Sequence, residues 1–306
     1  MYSRYLFALA VFFLCLSNVN AQDLLSDLPS DGKKEKEFVM AAFKSTRLIN
    51  FHTLETVGPK TLDFRISHRF GTLSQGAYDA WGIDGPATIR LGLDYSYDGR
   101  FMFGIGRSNL EKMVDGYLKY RLVRQGLEGG SPVAVTLCAS MFRNGEKDVK
   151  VGNFDKYEYP SDRFSYVHQV IIGRKFNSSF SMQVAPFFVH FNLVDRSADK
   201  NDVYGIAGAA RIKFTKRSAI TFEYGYRLVT DYSVETNYYN SFGIGYELET
   251  GGHVFQVHLT NSDGMADNQF FARTRDSWGD NGIRLGFNIS RVFSIPASGA
   301  TKGKSW

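Results

Sequence analysis

From Leu62 to Phe293 the chain consists of strand-length stretches whose connections alternate between long and very short. The long Thr72–Ala87 connection precedes a tight Asp98-Gly99 turn, and Asn144–Asp162 precedes Asn177-Ser178. Asp195–Asp202 then precedes Lys216-Arg217, Thr230–Tyr238 precedes Gly251-Gly252, and Asn261–Asn281 closes the series. Few architectures accept this rhythm. Transmembrane β-barrels do, because their short turns face the periplasm and their longer loops face outside.

The stretches themselves alternate with period two. In Ile283-Arg284-Leu285-Gly286-Phe287-Asn288-Ile289-Ser290 the odd positions are apolar and the even ones polar or glycine. Ile220–Leu228 and Ile89–Tyr95 repeat the pattern. Such alternation puts one set of side chains on each side of a sheet. It does not say which side is wet. A soluble barrel or sandwich turns the apolar set inward, whereas an outer-membrane barrel turns it toward lipid.

Strands of about nine or more residues favour the membrane, since soluble strands are nearer five or six. So does the beginning of the chain. Arg4, the apolar run Tyr5–Leu16 and the small residues of Val19-Asn20-Ala21 make residues 1–21 a secretory signal. The run is shorter than the roughly 20 residues a spanning helix needs. The expected fold is therefore all-β: an antiparallel up-and-down transmembrane β-barrel of about twelve strands in a bacterial outer membrane, with about fourteen as the runner-up. The strands are expected near 61–71, 88–97, 100–109, 113–126, 131–143, 163–176, 179–193, 203–215, 218–229, 238–250, 252–261 and 282–293. An even number returns both ends to the periplasmic side.

The expected division is signal (1–21), leader (22–60), barrel (61–293) and tail (294–306). Within the leader, Arg47–Leu54 also reads as a strand, but counting it makes the total odd. Two placements remain open: a periplasmic or edge-capping segment, or a piece folded into the barrel mouth.

Composition excludes more than it suggests. A formal charge of +5 without a basic stripe gives no footprint for nucleic acid. After the signal only Cys138 remains, so there is no internal disulfide and no cysteine-based zinc site. Its neighbours at two-residue spacing, Ala134, Thr136 and Ser140, are small, as lumen-filling residues would be. No cofactor or metal is expected; the expected partners are outer-membrane lipids and small anionic or polar solutes. Aromatic residues flank the short turns, as in Tyr95, Tyr97 and Phe101, Phe176 and Phe180, and Phe214 and Phe222, and suit an interfacial girdle.

Ser45–Asn50 followed by Leu62–Gly71, together with Thr88–Tyr95 and the closing Ile283–Ile289, resembles a Bacteroidota family of outer-membrane β-barrel proteins. The resemblance covers most of the chain after the signal and implies the architecture. It brings no activity onto these residues.

With the apolar face outward, the inward basic set comprises Arg65, Arg69, Arg90, Lys119, Arg121, Arg211, Lys213, Arg227 and Arg284. Asp63, Asp94, Asp115, Glu223 and Glu247 oppose it. Cross-strand ion pairs forming a mainly structural network are expected, because burying either sign alone is costly. Twelve strands at about 4.8 Å spacing and about 40° tilt give a backbone diameter near 24 Å. Arginines from both walls leave roughly 10 Å, or nothing if they cross-pair.

A narrow passive pore for small polar or anionic solutes is the first functional expectation. The alternative is a closed structural or ligand-binding barrel acting through its outer loops, where Tyr157, Tyr159, Phe270, Phe271 and Trp278 could form a recognition surface. An outer-membrane lipid hydrolase is least favoured, and no enzyme is expected. Ser67 and His68 are adjacent and point to opposite faces, His168, His190, His253 and His258 are isolated, and neither a Gly-x-Ser-x-Gly elbow nor a His-Glu-x-x-His motif occurs.

Overall fold

Period-two alternation produces long strands because each can bury one face and leave the other in lipid. The computed structural model describes residues 37–151, 154–194, 199–228 and 238–295. The expected signal, the leader to residue 36 and the tail from residue 296 lie outside the described residues. In chain order the strands are β1 (Thr61–Thr72), β2 (Thr88–Ser96), β3 (Phe101–Ser108), β4 (Val114–Val123) and β5 (Ala134–Arg143). The short β6 (Lys150–Val151) and β7 (Phe154–Asp155) form a two-stranded sheet within the next connection. Then follow β8 (Phe164–Lys175), β9 (Phe180–Phe191), β10 (Asp202–Lys213), β11 (Ser218–Leu228), β12 (Ser241–Thr250), β13 (His253–Thr260) and β14 (Arg284–Ser294).

All strands except β6 and β7 belong to one closed antiparallel barrel of twelve strands, in which β14 returns to pair with β1. Closure matters because an open edge would leave unpaired N–H and C=O groups in hydrocarbon. The expected architecture and its even strand count are present. Two connections depart from the strict rhythm. Asn109–Met113 is short at the long-loop end, and Arg124–Val133 is wide at the short-turn end. That width has a use: Val39 N donates to Gln125 O at 2.9 Å and Leu127 N to Glu37 O at 3.0 Å, so the loop pairs with the incoming leader.

The faces run as the alternation predicts. Ile105, Leu118 and Val257 are 60, 53 and 51% exposed, whereas Arg90 and Glu223 are buried. So broad an apolar surface exceeds what a soluble protein presents to water. Lipid is its natural surrounding. Ile289 lies in the middle of β14, opposite Ile66 and Phe255 on its neighbours. Replacing Ile289 with Arg is expected to destabilise insertion by about 2–4 kcal/mol. Denaturant-dependent folding into lipid vesicles, read by gel mobility, measures this; an unchanged midpoint would mean that this face does not meet hydrocarbon.

Candidate functional site

The interior of the barrel is occupied by the chain's own leader. Thr53 N donates to Thr46 O and Leu48 N to Phe51 O, both at 2.9 Å, and Arg47 pairs antiparallel with His52. Leu48-Ile49-Asn50-Phe51 is thus the tip of a small hairpin lying inside the sheet. A lone hairpin is marginal in water. Inside the barrel its remaining peptide groups must find partners, and the wall supplies them.

Glu223 on β11 accepts from Asn50 N at 2.9 Å, Phe51 N at 3.0 Å and Asn50 Nδ2 at 2.7 Å. Arg69 on β1 donates to Ile49 O at 3.0 Å and Asn50 Oδ1 at 2.8 Å, and Asn288 on β14 donates to Ile49 O at 2.9 Å. Lys119 on β4 reaches Glu55 O at 2.7 Å and Thr46 O at 3.1 Å. On β9, Gln183 donates to His52 O at 2.7 Å and accepts from Leu54 N at 3.1 Å. Thr136 on β5 donates to Leu54 O at 2.8 Å.

Glycines in the wall shape the apolar fit. A Cβ on Gly173 would lie 2.5 Å from Leu54 Cδ2, one on Gly243 3.0 Å from Ile49 Cδ1, and one on Gly225 3.2 Å from Phe51 Cζ. These contacts are closer than side chains tolerate without shifting. The missing side chains are the hairpin's seat.

A second insert enters from the long-loop end. Every residue of α1 (Asp267–Ala272) is buried. Phe271 stacks on Phe187 at 4.1 Å, and the Phe51 ring lies 5.3 Å from Phe270 and 5.0 Å from Phe271. Asp267 Oδ1 accepts from Arg47 at 2.9 Å, and its Oδ2 accepts from Ser140 and Gln169 at 3.1 Å each. His52 Nε2 lies 3.3 Å from the same oxygen. One carboxylate therefore ties both inserts to β5 and β8. Burial opposes its ionisation, but Arg47 holds it below the usual carboxylate range. Burial first, then Arg47, pushes His52 down to about 3, so that ring is neutral at neutral pH.

Asp63, Arg65, Arg69, Arg90, Asp94, Asp115, Lys119, Arg211, Glu223, Arg227 and Glu247 are buried, whereas Arg121, Lys213 and Arg284 are half-buried, and their partners are of two kinds. Arg90 pairs with Asp115 at 2.5 Å and Arg211 with Glu247 at 2.8 Å, as a cross-strand network requires. Arg65, Arg69, Asp94, Lys119 and Glu223 bond mainly to the hairpin instead. Cross-strand pairing is therefore only part of the account, because the inserted backbone competes for the same groups. Arg121, Arg227 and Arg284 lie toward strand ends. They meet Glu55 at 3.3 Å, Tyr238 O at 3.3 Å and Asp276 at 2.6 Å.

The sequence left the seating of residues 42–57 open between two placements, one of them inside the barrel mouth, and gave no sign of the role of Asp267. Phe270 and Phe271, expected on an outer recognition surface, are buried because an apolar pair on a polar loop gains more from the lumen than from water. The run of Phe43, Leu48, Ile49, Phe51 and Leu54 ahead of the barrel carried the other signal. Ser67 is buried inward while His68 faces outward and stacks on Phe287 at 5.0 Å. Cys138 is buried on the inner face. Among the described residues no cluster of three or more His, Cys, Asp or Glu is placed to hold a metal.

Cavities open at both ends of the filled region. One of about 580 Å³ at the short-turn end is lined by Lys44, Glu55, Arg100, Arg121 and Arg124, among others. Another of about 900 Å³ at the long-loop end is lined by Glu111, Lys156, Gln269, Arg273 and neighbouring groups. The hairpin tip and α1 stand between them.

The chain is similar in structure to the NanC porin, with a TM-score of 0.47 and 10% identity over 77% of this chain and 100% of that one. It is similar to an outer membrane channel from Pseudomonas putida F1, with a TM-score of 0.48 and 12% identity over 78% of this chain and 98% of that one. For outer membrane phospholipase A from Escherichia coli the TM-score is 0.43 and the identity 11%, over 77% and 91% of the two chains. No curated protein matches the sequence. The family model described as "Membrane bound beta barrel domain (DUF5777)" matches residues 43–293, a span that takes in the inserted hairpin as well as the wall. The chain belongs to this family of membrane-bound β-barrels.

Proposed function

We propose that the protein is an outer-membrane barrel for small polar or anionic solutes whose path is closed at rest by its own residues 42–57. One observation carries this reading: the wall groups suited to line a polar pore, notably Glu223, Arg69 and Lys119, are engaged by the peptide groups of the hairpin. Closure of this kind suits reversal, since each hydrogen bond exchanged with water changes free energy by only about 0.5–1.5 kcal/mol net. Displacing the hairpin also removes the Arg47 and Phe51 contacts that hold α1, and with both inserts withdrawn a barrel of this strand number has a polar lumen with a basic bias, which attracts anions. In the same proposal residues 1–21 direct export, residues 22–36 remain periplasmic, and the inward residues from Arg65 to Arg284 line the vacated path.

A second reading rests on the long-loop cavity. Its volume of about 900 Å³ falls within the roughly 300–1,000 Å³ of small-molecule pockets. A barrel that stays closed and binds a ligand through its outer loops fits that observation.

Planar-bilayer conductance separates the two. The full chain is expected to be silent or to open rarely, and a variant lacking residues 42–57 to conduct steadily with an anion preference. Heat-modifiable gel mobility establishes that the variant is folded. Equal steady conductance from both proteins would overturn closure; silence of the folded variant would favour the ligand-binding reading.

A point variant gives an independent check. Glu223→Ala leaves the three donors of Asn50 and Phe51 without their acceptor. At about 1–3 kcal/mol per stranded buried group, openings of the full-length variant should become at least about tenfold more frequent. An unchanged opening frequency would remove Glu223 from the closing mechanism.

A further inference from the structure

We propose that the short-turn cavity is a binding site for a small multivalent anion, held by Arg100, Arg121 and Arg124, with Glu55 of the inserted segment as its internal competitor. The proposal rests on the solute class named above and gives that class a place to bind.

The register creates the site. Arg121 N donates to Arg100 O at 2.9 Å, which sets the two arginines opposite each other where β3 and β4 meet the short-turn end. Like charges directly opposite on neighbouring strands repel. Arg124 follows three residues later, its guanidinium 4.1 Å from the Phe38 ring centre. Burial first, then Arg121 and Arg100, lowers the pKa of Arg124 from its ordinary value, as expected of cations within electrostatic reach.

Against these three cations stands one available carboxylate. Glu55 lies 3.3 Å from Arg121, and its other oxygen accepts from Ala42 N at 2.8 Å. Among the described residues neither Arg100 nor Arg124 has a carboxylate within ion-pair distance, and the buried Nε atoms of Arg121 and Arg124 have no hydrogen-bond partner. The other acids of the cavity are engaged elsewhere. Asp98 accepts from the backbone N–H groups of Arg100 and Phe101 at 2.9 and 2.7 Å, Glu249 pairs with Lys44 at 2.8 Å, and Asp63 lies 3.6 Å from Arg65.

Guanidinium forks match carboxylate and phosphate oxygens bidentately. A cavity of about 580 Å³ leaves ample room for an anion of two or three charged groups, given the roughly 300–1,000 Å³ of ordinary ligand sites. Such an anion would take Arg121 from Glu55 and so loosen the tie between the base of the insert and the wall.

Titration calorimetry on the folded full-length protein in a neutral detergent tests this with inorganic pyrophosphate and citrate as probes. Saturable binding of at least one is expected at constant ionic strength, where sodium chloride has no such effect. Arg100→Gln, an exposed position, and Arg124→Gln should each weaken it about tenfold, the loss of one charge-assisted contact. Glu55→Gln, which removes the competitor, should tighten it about tenfold. Absence of saturable binding by both probes, affinity indifferent to the arginine variants, or weaker binding by Glu55→Gln would overturn the proposal. Binding seen only with added phosphatidylglycerol would assign the cluster to lipid headgroups and also overturn it. Because the titration needs no open path, its outcome is independent of the conductance result.

Discussion

Each peptide group carried into the lumen must find a hydrogen-bond partner there, and this requirement organises the interior. The hairpin cannot complete its bonding alone, because only a few of its peptide groups face one another across the turn. The rest are met by single side chains projecting from β1, β4, β5, β9, β11 and β14. A stranded buried amide costs about 1–3 kcal/mol, so the fit of wall to hairpin constrains both. Asp267 extends the same logic to the second insert, where Arg47, Ser140 and Gln169 supply the donors that make a buried carboxylate tolerable.

That constraint gives the inward arginines and lysine a reason to exist. A barrel interior filled only with apolar side chains would offer nothing to the backbone of an insert. One lined only with paired charges would offer little more. Here Arg90–Asp115 and Arg211–Glu247 close on themselves, while Arg69, Lys119 and Glu223 remain free to hold peptide oxygens and amides. The same polar groups that seat the hairpin would line an aqueous path without it. In the function proposed above, a closed state and a conducting state share one wall.

The barrel was legible in the sequence because its information is local. Alternation within Ile283–Ile289 or Ile220–Leu228 fixes which side chains share a face, and turn spacing fixes the order of strands. The hairpin was not legible because its partners are remote: Asn288 is 240 residues from Leu48, and Glu223 is 173 residues from Asn50. Arg47–Leu54 has the pattern of a strand, and nothing within it tells a ladder of neighbouring strands from a ring of side chains. Its traces lay in the wall. Gly173, Gly225, Gly243 and Gly245 look like weak strand positions until Leu54, Phe51 and Ile49 are placed against them. The Phe270-Phe271 pair was visible, but its direction was not, because lumen and outer surface were both open to a loop of that length.

The most direct test of an occupied lumen is hydrogen exchange on the intact, folded protein in lipid. Amides of Leu48, Asn50, Phe51, Thr53 and Leu54 each donate to a partner inside the barrel. The structure predicts that they exchange about as slowly as amides of the flanking strands. Exchange at the rate of an unstructured peptide, with the strand amides still protected, would contradict the insertion of this segment and the closed lumen built on it.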